Sequence, residues 1–357
     1  METEIGSIFP IYDTVEACDG QRIPTEQNQV YLSLAREAFL YLAKTIVGGN
    51  HRIMLPAYTC KTVIDPFRQE KWDCHFYDIN RHLSIETDAF QALFDQIKPE
   101  IVLFHPYYGC GISLAEAAVL QKAKMNGATI IADLTQAIFS PRDYPFVDYY
   151  VGSLRKWFPI PDGAFLSSDK HTLLLDAHAL PENEIFVRFQ KDAMYLRGAY
   201  FQSHVPELKQ ISIRLNKYAV HLASAEPIAL HRISSFSDQN LLADASEESQ
   251  HIRMQNYAYL LSSVRNCCSC IPVNDNISKL RSAPLYFPIY CPDRATVQKE
   301  LASHGVYAPI LWPVADPCVL ISSNVRYIYD HILLIPIDQR YGIHDMERIS
   351  KLLNREP

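Results

Sequence analysis

Between residues 31 and 166, short apolar runs alternate with stretches of helical periodicity. Leu34, Ala38, Leu42 and Ile46 recur on one face, predicting a helix over 33–47 with Ser33 as its N-cap. Strands are predicted at 52–55, 74–77, 101–104, 129–132, 148–152 and 164–166, and helices at 59–68, 87–97 and 114–124. Pro66 is expected to kink or end the helix that contains it. The strands are apolar without polar alternation, which predicts a mainly parallel, seven-stranded-type sheet between helices. Ligands of such sheets sit beyond the carboxyl ends of the strands. From 206 to 265 the pattern is mostly helical, with a polar, charged stretch at 240–249. Strands at 285–290, 308–311 and 332–335 and helices at 295–304 and 345–353 then form a small α+β unit. The boundary is placed near 236–245, giving a large domain 1–240 and a small domain 241–357. The N-terminal segment 1–25 is a candidate to pack on the small domain.

Composition agrees with that division. The chain has 357 residues, 48% apolar and 20% charged, ample for two domain cores. Lys plus Arg number 33 against 40 for Asp plus Glu, a formal charge of −7, which argues against nucleic-acid binding. The first residues carry acidic groups and no cationic segment ahead of an apolar run, so no signal peptide is expected. The apolar stretch 307–321 is broken by Pro309, Pro313, Asp316 and Pro317, so no membrane-spanning helix is expected either. With nine cysteines read as free thiols, these features predict a cytoplasmic protein. Cys267, Cys268 and Cys270 lack the second ligand pair that a zinc site needs, so no metal is expected. There are only 12 glycines, about 3% against a usual share of about 7%, which leaves few places to wrap bare backbone round a phosphate. No G-x-G-x-x-G, P-loop, H-E-x-x-H or G-x-S-x-G motif is present.

The candidate chemistry follows the strands. Asp133-Leu-Thr-Gln136 comes directly after the strand at 129–132, and Ser153-Leu-Arg-Lys156 after the strand at 148–152. An Asp in that place often caps a helix, and a lone Lys usually faces solvent. Lys156, however, is followed by Trp157, Phe158, Pro159 and Ile160, poor company for a solvated ammonium.

Four segments occur in an order that resembles fold-type I pyridoxal-phosphate (PLP) enzymes. They are Leu55-Pro-Ala-Tyr-Thr59, Phe104-His-Pro-Tyr-Tyr-Gly109, Ile131-Ala-Asp133-Leu-Thr-Gln136-Ala and Gly152-Ser153-Leu-Arg-Lys156. The chain is most similar to the DegT/DnrJ/EryC1/StrS aminotransferases, from about residue 25 to 353, and Leu334–Tyr341 with the following helix resembles that family's closing strand and helix. The resemblance implies PLP as cofactor and Lys156 as its Schiff-base lysine, which then moves the proton at the substrate Cα. It implies that Asp133 pairs with the pyridine nitrogen, Gln136 with the phenolic oxygen and Ser153 with the phosphate. The remaining phosphate contacts would come from the start of the first helix, where Leu34-Ala35-Arg36-Glu37-Ala38 replaces the family's glycine-containing pattern. Ala35 would contribute a backbone amide there. Arg36 would add charge-assisted bonds, unless it simply faces solvent. Cys60 stands where many members stack an aromatic ring on the cofactor, so Tyr58 or Tyr107 is the substitute, unless these rings are merely core. Pro161-Asp162-Gly163-Ala164 replaces the family's Gly-Glu-Gly-Gly.

The resemblance implies transfer of an amino group from an amino acid, glutamate being the expected donor, to a keto substrate, with a nucleotide-linked keto sugar as candidate. Arg155 and Arg340 are the candidate anion clamps. The alternatives are a C–S lyase or cysteine desulfurase, which usually has a His before the lysine where this chain has Arg155, and a non-catalytic scaffold, which would need none of Asp133, Gln136, Ser153 and Lys156. A homodimer with active sites at the interface is implied, the region Ile213–Asn216 being the place to look for a group that reaches the phosphate of the partner.

Overall fold

The computed structural model describes residues 4–12, 28–46, 48–224, 227–241, 247–264, 267, 269–314 and 316–354. A short strand β1 (Ile5–Gly6) precedes β2 (Gln29–Leu32), α1 (Ala35–Thr45), β3 (Arg52–Pro56), α2 (Lys61–Gln69), β4 (Asp73–Tyr77) and α3 (Thr87–Ile97). Then come β5 (Ile101–Phe104), α4 (Leu114–Met125), β6 (Thr129–Asp133), β7 (Tyr149–Ser153) and β8 (Ala164–Ser167). Two long helices, α5 (Glu184–Ser203) and α6 (Pro206–Ala223), lead through α7 (Ser235–Asn240) to α8 (Glu247–Ser263). The C-terminal part holds β9 (Ile271–Pro272), β10 (Tyr286–Tyr290), α9 (Arg294–Ser303), β11 (Val306–Tyr307), α10 (Ser323–His331), β12 (Ile332–Pro336) and α11 (Ile343–Leu353).

Seven strands form the main sheet in the order β2-β8-β7-β6-β5-β3-β4. The five from β7 to β4 are parallel, and β8 runs antiparallel to both its neighbours. Buried on both faces, Ile130, Ile131 and Ala132 of β6 and Ile101 to Phe104 of β5 explain the unbroken apolar runs. The consequence for function is that β7, β6, β5 and β3 lie side by side and end together. A smaller sheet, β12-β10-β9, carries its own core with α8 and α11. The main core nevertheless continues into the C-terminal part through Trp312, Val325, Ile328 and Tyr329. The expected boundary zone 236–245 is described only as far as Leu241, and of the expected N-terminal segment only residues 4–12 are described. There β1 pairs with β11, and the Gly6 amide donates to the Tyr341 hydroxyl at 2.8 Å.

Several elements depart from the sequence pattern. The first helix begins at Ala35 with Leu34 as N-cap and no side-chain cap. Ser33 is instead used through its backbone, donating to His231 O at 3.0 Å and accepting from the Gly163 amide at 2.7 Å. Pro66 lies inside α2 without ending it; burial of Ile64 and Phe67 on either side keeps the last turn helical. The strand expected at 308–311 is β11 at Val306–Tyr307, because Pro309 has no N–H to continue a ladder. Helix α5 escapes the periodicity because buried Gln190 and Arg197 share its inner face with Phe186, Val187 and Met194. Gly198 belongs to the same face. A Cβ there would meet the Ile11 carbonyl oxygen at 2.1 Å, so glycine is what allows residues 8–12 to lie against α5.

Candidate active site

Four adjacent strands deliver the sequence-predicted residues to one place. β6 ends on Asp133 and continues to Gln136; β7 ends on Ser153, and a 3-10 turn at Leu154–Lys156 follows. β5 is followed by His105, and β3 by Tyr58, Thr59 and Cys60. The lysine turn is pinned by its neighbour. Trp157 is fully buried, donates its indole N–H to Thr135 O at 2.8 Å, and carries the Arg253 guanidinium on its ring at 4.5 Å.

Asp133 is buried at the bottom of the site. Its carboxylate accepts from the Thr135 amide at 2.9 Å and lies 3.2 Å from His105 Nδ1. Burial pushes its pKa up, but the His105 hydrogen bond and charge together with the Thr135 amide outweigh burial and hold it below the ordinary carboxylate value. His105 Nε2 in turn meets the Thr59 hydroxyl at 2.8 Å, completing a buried Thr59–His105–Asp133 chain. Gln136 is buried beside it, its Oε1 accepting from the Tyr108 amide at 3.3 Å. Its Nε2 is buried with no hydrogen-bond partner, a rare condition for an amide donor.

Lys156 is half-buried, and no hydrogen bond or ion pair to its ammonium is formed among the described residues. Burial lowers its pKa, Arg155 lowers it further, and the nearby Cys60 and Asp133 only partly oppose this. Arg155 is itself depressed, by burial and by the charge of Arg36. Three cations therefore converge where Ser153, the N-terminal turn of α1 and the lysine turn meet. Backbone bonds hold these parts together: the Gly163 amide donates to Ser33 O at 2.7 Å, and Gly163 O accepts from the Leu154 amide at 2.9 Å. Ala35 and Arg36 occupy the first two positions of α1, at the positive end of its dipole. Arg36 does not face solvent. It is buried and donates to the Ala223 carbonyl at the end of α6. Glu37 is buried as well and accepts from the His231 amide at 2.9 Å. Asp162, in the loop 161–164, is held by Ser234 and Ser237, with Oδ1 accepting from the Ser234 hydroxyl at 2.6 Å.

Tyr58 is fully buried, its ring centroid 4.9 Å from Trp312 and 5.7 Å from Tyr107. Cys60 is the N-cap of α2 and accepts at Sγ from the Thr62 hydroxyl at 3.0 Å. Arg340 is engaged with Asp338, at 2.6 Å from Nε, and with the carbonyls of Ser7 and Ile8, so it fastens the N-terminal strand. Two residues of the site were not singled out from the sequence. The signal for His105 was its place directly after an apolar strand. Trp312 had no local signal: its loop brings it to the His105 ring, 5.3 Å between centroids, at a left-handed φ of 58° that bulky residues rarely adopt. Among the described residues no group of His, Cys, Asp and Glu is placed to hold a metal, and no helix is long and apolar enough to cross a membrane. Cys268 of the predicted thiol cluster lies outside the described residues.

The sheet order and its single reversed strand β8 are those of the PLP fold-type I architecture. Solved structures share it. A candidate sugar aminotransferase of Streptococcus pneumoniae, solved in its PLP form, superimposes with a TM-score of 0.66 at 11% identity, over 99% of this chain and 98% of that one. The aminotransferase PseC of Helicobacter pylori, involved in pseudoaminic acid biosynthesis, gives 0.65 at 11% identity, over 98% of each chain. A DegT DnrJ EryC1 StrS aminotransferase of Brucella abortus gives 0.60 at 13% identity, over 91% of this chain and 84% of that one. No protein-family model and no curated protein matches the chain.

Proposed function

We propose that the chain is a PLP-dependent aminotransferase that moves an amino group from an amino acid, with glutamate as the donor, to a keto substrate of the nucleotide-linked keto-sugar class. The observation that carries this reading is the trio at the ends of β6 and β7: a buried Asp133 held ionised, an unsatisfied Gln136 amide, and a Lys156 whose pKa is lowered. A scaffold gains nothing from any of them. The residues fit the cofactor: Asp133 offers an anion for the pyridinium N–H, and Gln136 Nε2 a free donor for the phenolic oxygen. Ser153, the amides of Ala35 and Arg36, and the Arg36 guanidinium offer a cationic, donor-rich end for the phosphate, with no glycine cradle. Tyr58 or Cys60 would border the ring.

When bound there, PLP supplies an electron sink for charge that develops at the substrate Cα. The chain's own residues do the rest. Asp133 would keep the ring nitrogen protonated, because His105 and the Thr135 amide hold Asp133 charged. Burial and Arg155 make the neutral amine of Lys156 accessible, so it can take and return the Cα proton. Arg155 stands where a C–S lyase usually has His, which favours amino transfer. The exposed apolar Ile211, Tyr218 and Val220 of α6 support a homodimer in which the region Ile213–Asn216 approaches the neighbouring site.

The visible spectrum of purified protein with added PLP tests the reading. A yellow band that is absent in Lys156→Ala, and that L-glutamate removes with release of 2-oxoglutarate, is the expected result. No band in the wild type overturns it. A band that glutamate leaves intact while cysteine releases sulfide transfers the assignment to the C–S lyase class.

A further inference from the structure

Lys156 and Arg155 form part of the wall of a cavity of about 780 Å³, where α5, α6, residues 6–9 and the C-terminal sheet come together. That size suits a drug-sized or nucleotide-sized ligand. Among the described residues that line it, seven are Lys or Arg and only Asp338 is acidic, in a chain whose formal charge is −7. Two helical stripes of the same spacing face it: Gln190, Met194 and Arg197 of α5, and Lys209, Ile213 and Asn216 of α6. Each is an i, i+4, i+7 set, one face of its helix.

Several of these charges are already partnered. Arg340 has Asp338, and Lys209 has Glu4 and the Tyr307 hydroxyl. Three deeply buried side chains are left short. Arg197, 1% exposed, has no hydrogen-bond partner at Nε or Nη1; Arg253 has none at Nη2, and Gln190 none at Oε1. Glu4 Oε2 lies 3.3 Å from Arg197 Nη2 as an ion pair and itself lacks a hydrogen-bond partner, while Oε1 serves Lys209, so Nε and Nη1 of Arg197 keep their deficit. Nor do the rings of Tyr200 and Phe201, 5.6 and 5.2 Å from the guanidinium carbon: they take up its face and accept no in-plane N–H. Native proteins leave few buried polar atoms unpaired, and three such residues on one cationic cavity call for a ligand that satisfies them.

We propose that this cavity is an oxyanion site in which Arg197, supported by Arg253, seats a carboxylate or phosphate of the small molecule whose reacting end faces Lys156. Gln190 then accepts from an amino or hydroxyl group of the same molecule. Guanidinium suits both kinds of oxyanion, since each presents adjacent acceptor oxygens. The identity of the reacting end rests on the aminotransferase reading; binding of the anion does not.

The test is a thermal-shift titration of the PLP-treated full chain with inorganic pyrophosphate and, separately, with glutarate, a dicarboxylate without an amino group. Wild type, Arg197→Gln, Arg197→Lys and Lys122→Gln, a change on the exposed side of α4 away from the cavity, are compared. Stabilisation by pyrophosphate alone assigns the seat to a phosphorylated acceptor, and stabilisation by glutarate alone to the side-chain carboxylate of the donor. Arg197→Gln is expected to weaken the active anion roughly 10- to 100-fold, with Arg197→Lys between it and the wild type and Lys122→Gln near the wild type. A wild type that neither anion stabilises overturns the proposal, as does an Arg197→Gln protein that responds like the wild type. Should Arg197→Gln not fold, Arg197→Lys decides by the same criterion. Failure of the cofactor reading shows separately, as the missing yellow band, and leaves the anion titration interpretable.

Discussion

Replacing His105 by Phe tests the electrostatic foundation of the site. Phe preserves the ring that packs on Trp312 and Tyr107 but removes Nδ1, 3.2 Å from the Asp133 carboxylate, and Nε2, 2.8 Å from the Thr59 hydroxyl. Asp133 keeps the Thr135 amide and loses its other named partner, so burial is no longer outweighed and its pKa rises. A hydrogen bond to a buried charge contributes about 1.5–3 kcal/mol, which corresponds to a loss of roughly 10- to 150-fold in rate if that charge serves the reaction. The assay is single-turnover conversion with glutamate, followed by the visible band as a function of pH. The variant is expected to be slower at neutral pH, and the acid limb of its profile to move towards neutrality. His105→Asn, whose amide can replace Nδ1, should recover part of both. Stability provides a second readout. In the wild type the folded pKa of Asp133 lies below its unfolded value of about 3.9, so its pairing stabilises above that pH and is lost as pH falls through the folded value. In His105→Phe, with burial no longer outweighed, the folded value lies above the unfolded one, so the carboxylate costs stability at neutral pH and that cost is relieved as pH falls through the folded value. A variant with wild-type rate, acid limb and acid stability refutes the role assigned to His105.

Two further changes follow from the packing. Lys156→Met should not lower the urea midpoint at neutral pH, because burial and Arg155 disfavour the charged lysine in the fold. Since the folded pKa is depressed, the penalty it removes is greatest below that pKa and fades as pH rises towards the unfolded value of about 10.4; a midpoint clearly below wild type at pH 7 refutes this. Gly198→Ala puts a Cβ 2.1 Å from the Ile11 carbonyl oxygen and should destabilise the protein by about 1–3 kcal/mol in urea unfolding, by displacing residues 8–12 from α5. An unchanged midpoint would show that this approach can relax without cost.

Legibility differed from element to element for physical reasons. β5, β6 and β7 could be read directly, because a strand buried on both faces must be apolar at every position. α5 could not, because its inner face mixes apolar residues with Gln190 and Arg197, which face a cavity rather than solvent. Ser33 looked like a cap, but its backbone groups were taken by His231 and Gly163, across the sheet's end. Arg36 was open between phosphate and solvent; burial against α6 removed the solvent option. The neighbourhood of Asp133, Gln136, Ser153 and Lys156 was legible because each ends its strand or follows it at short range. His105 and Trp312 join the site through neighbours distant in sequence.

The amino-acid sequence alone determined the alternation of strands and helices, the strand ends that carry Asp133 and Lys156, and the scarcity of glycine that rules out a glycine cradle. These are local properties, set by side-chain burial and by spacing along one segment. The tertiary structure decided what no single segment encodes: the reversal of β8, the His105–Asp133 contact that helps keep the carboxylate charged, and the grouping of Gln190, Arg197 and Arg253 on one cavity wall. Hydrogen-bond partners and charges act through space across a few ångströms, so their effect depends on which strand ends and helices become neighbours when the sheet forms.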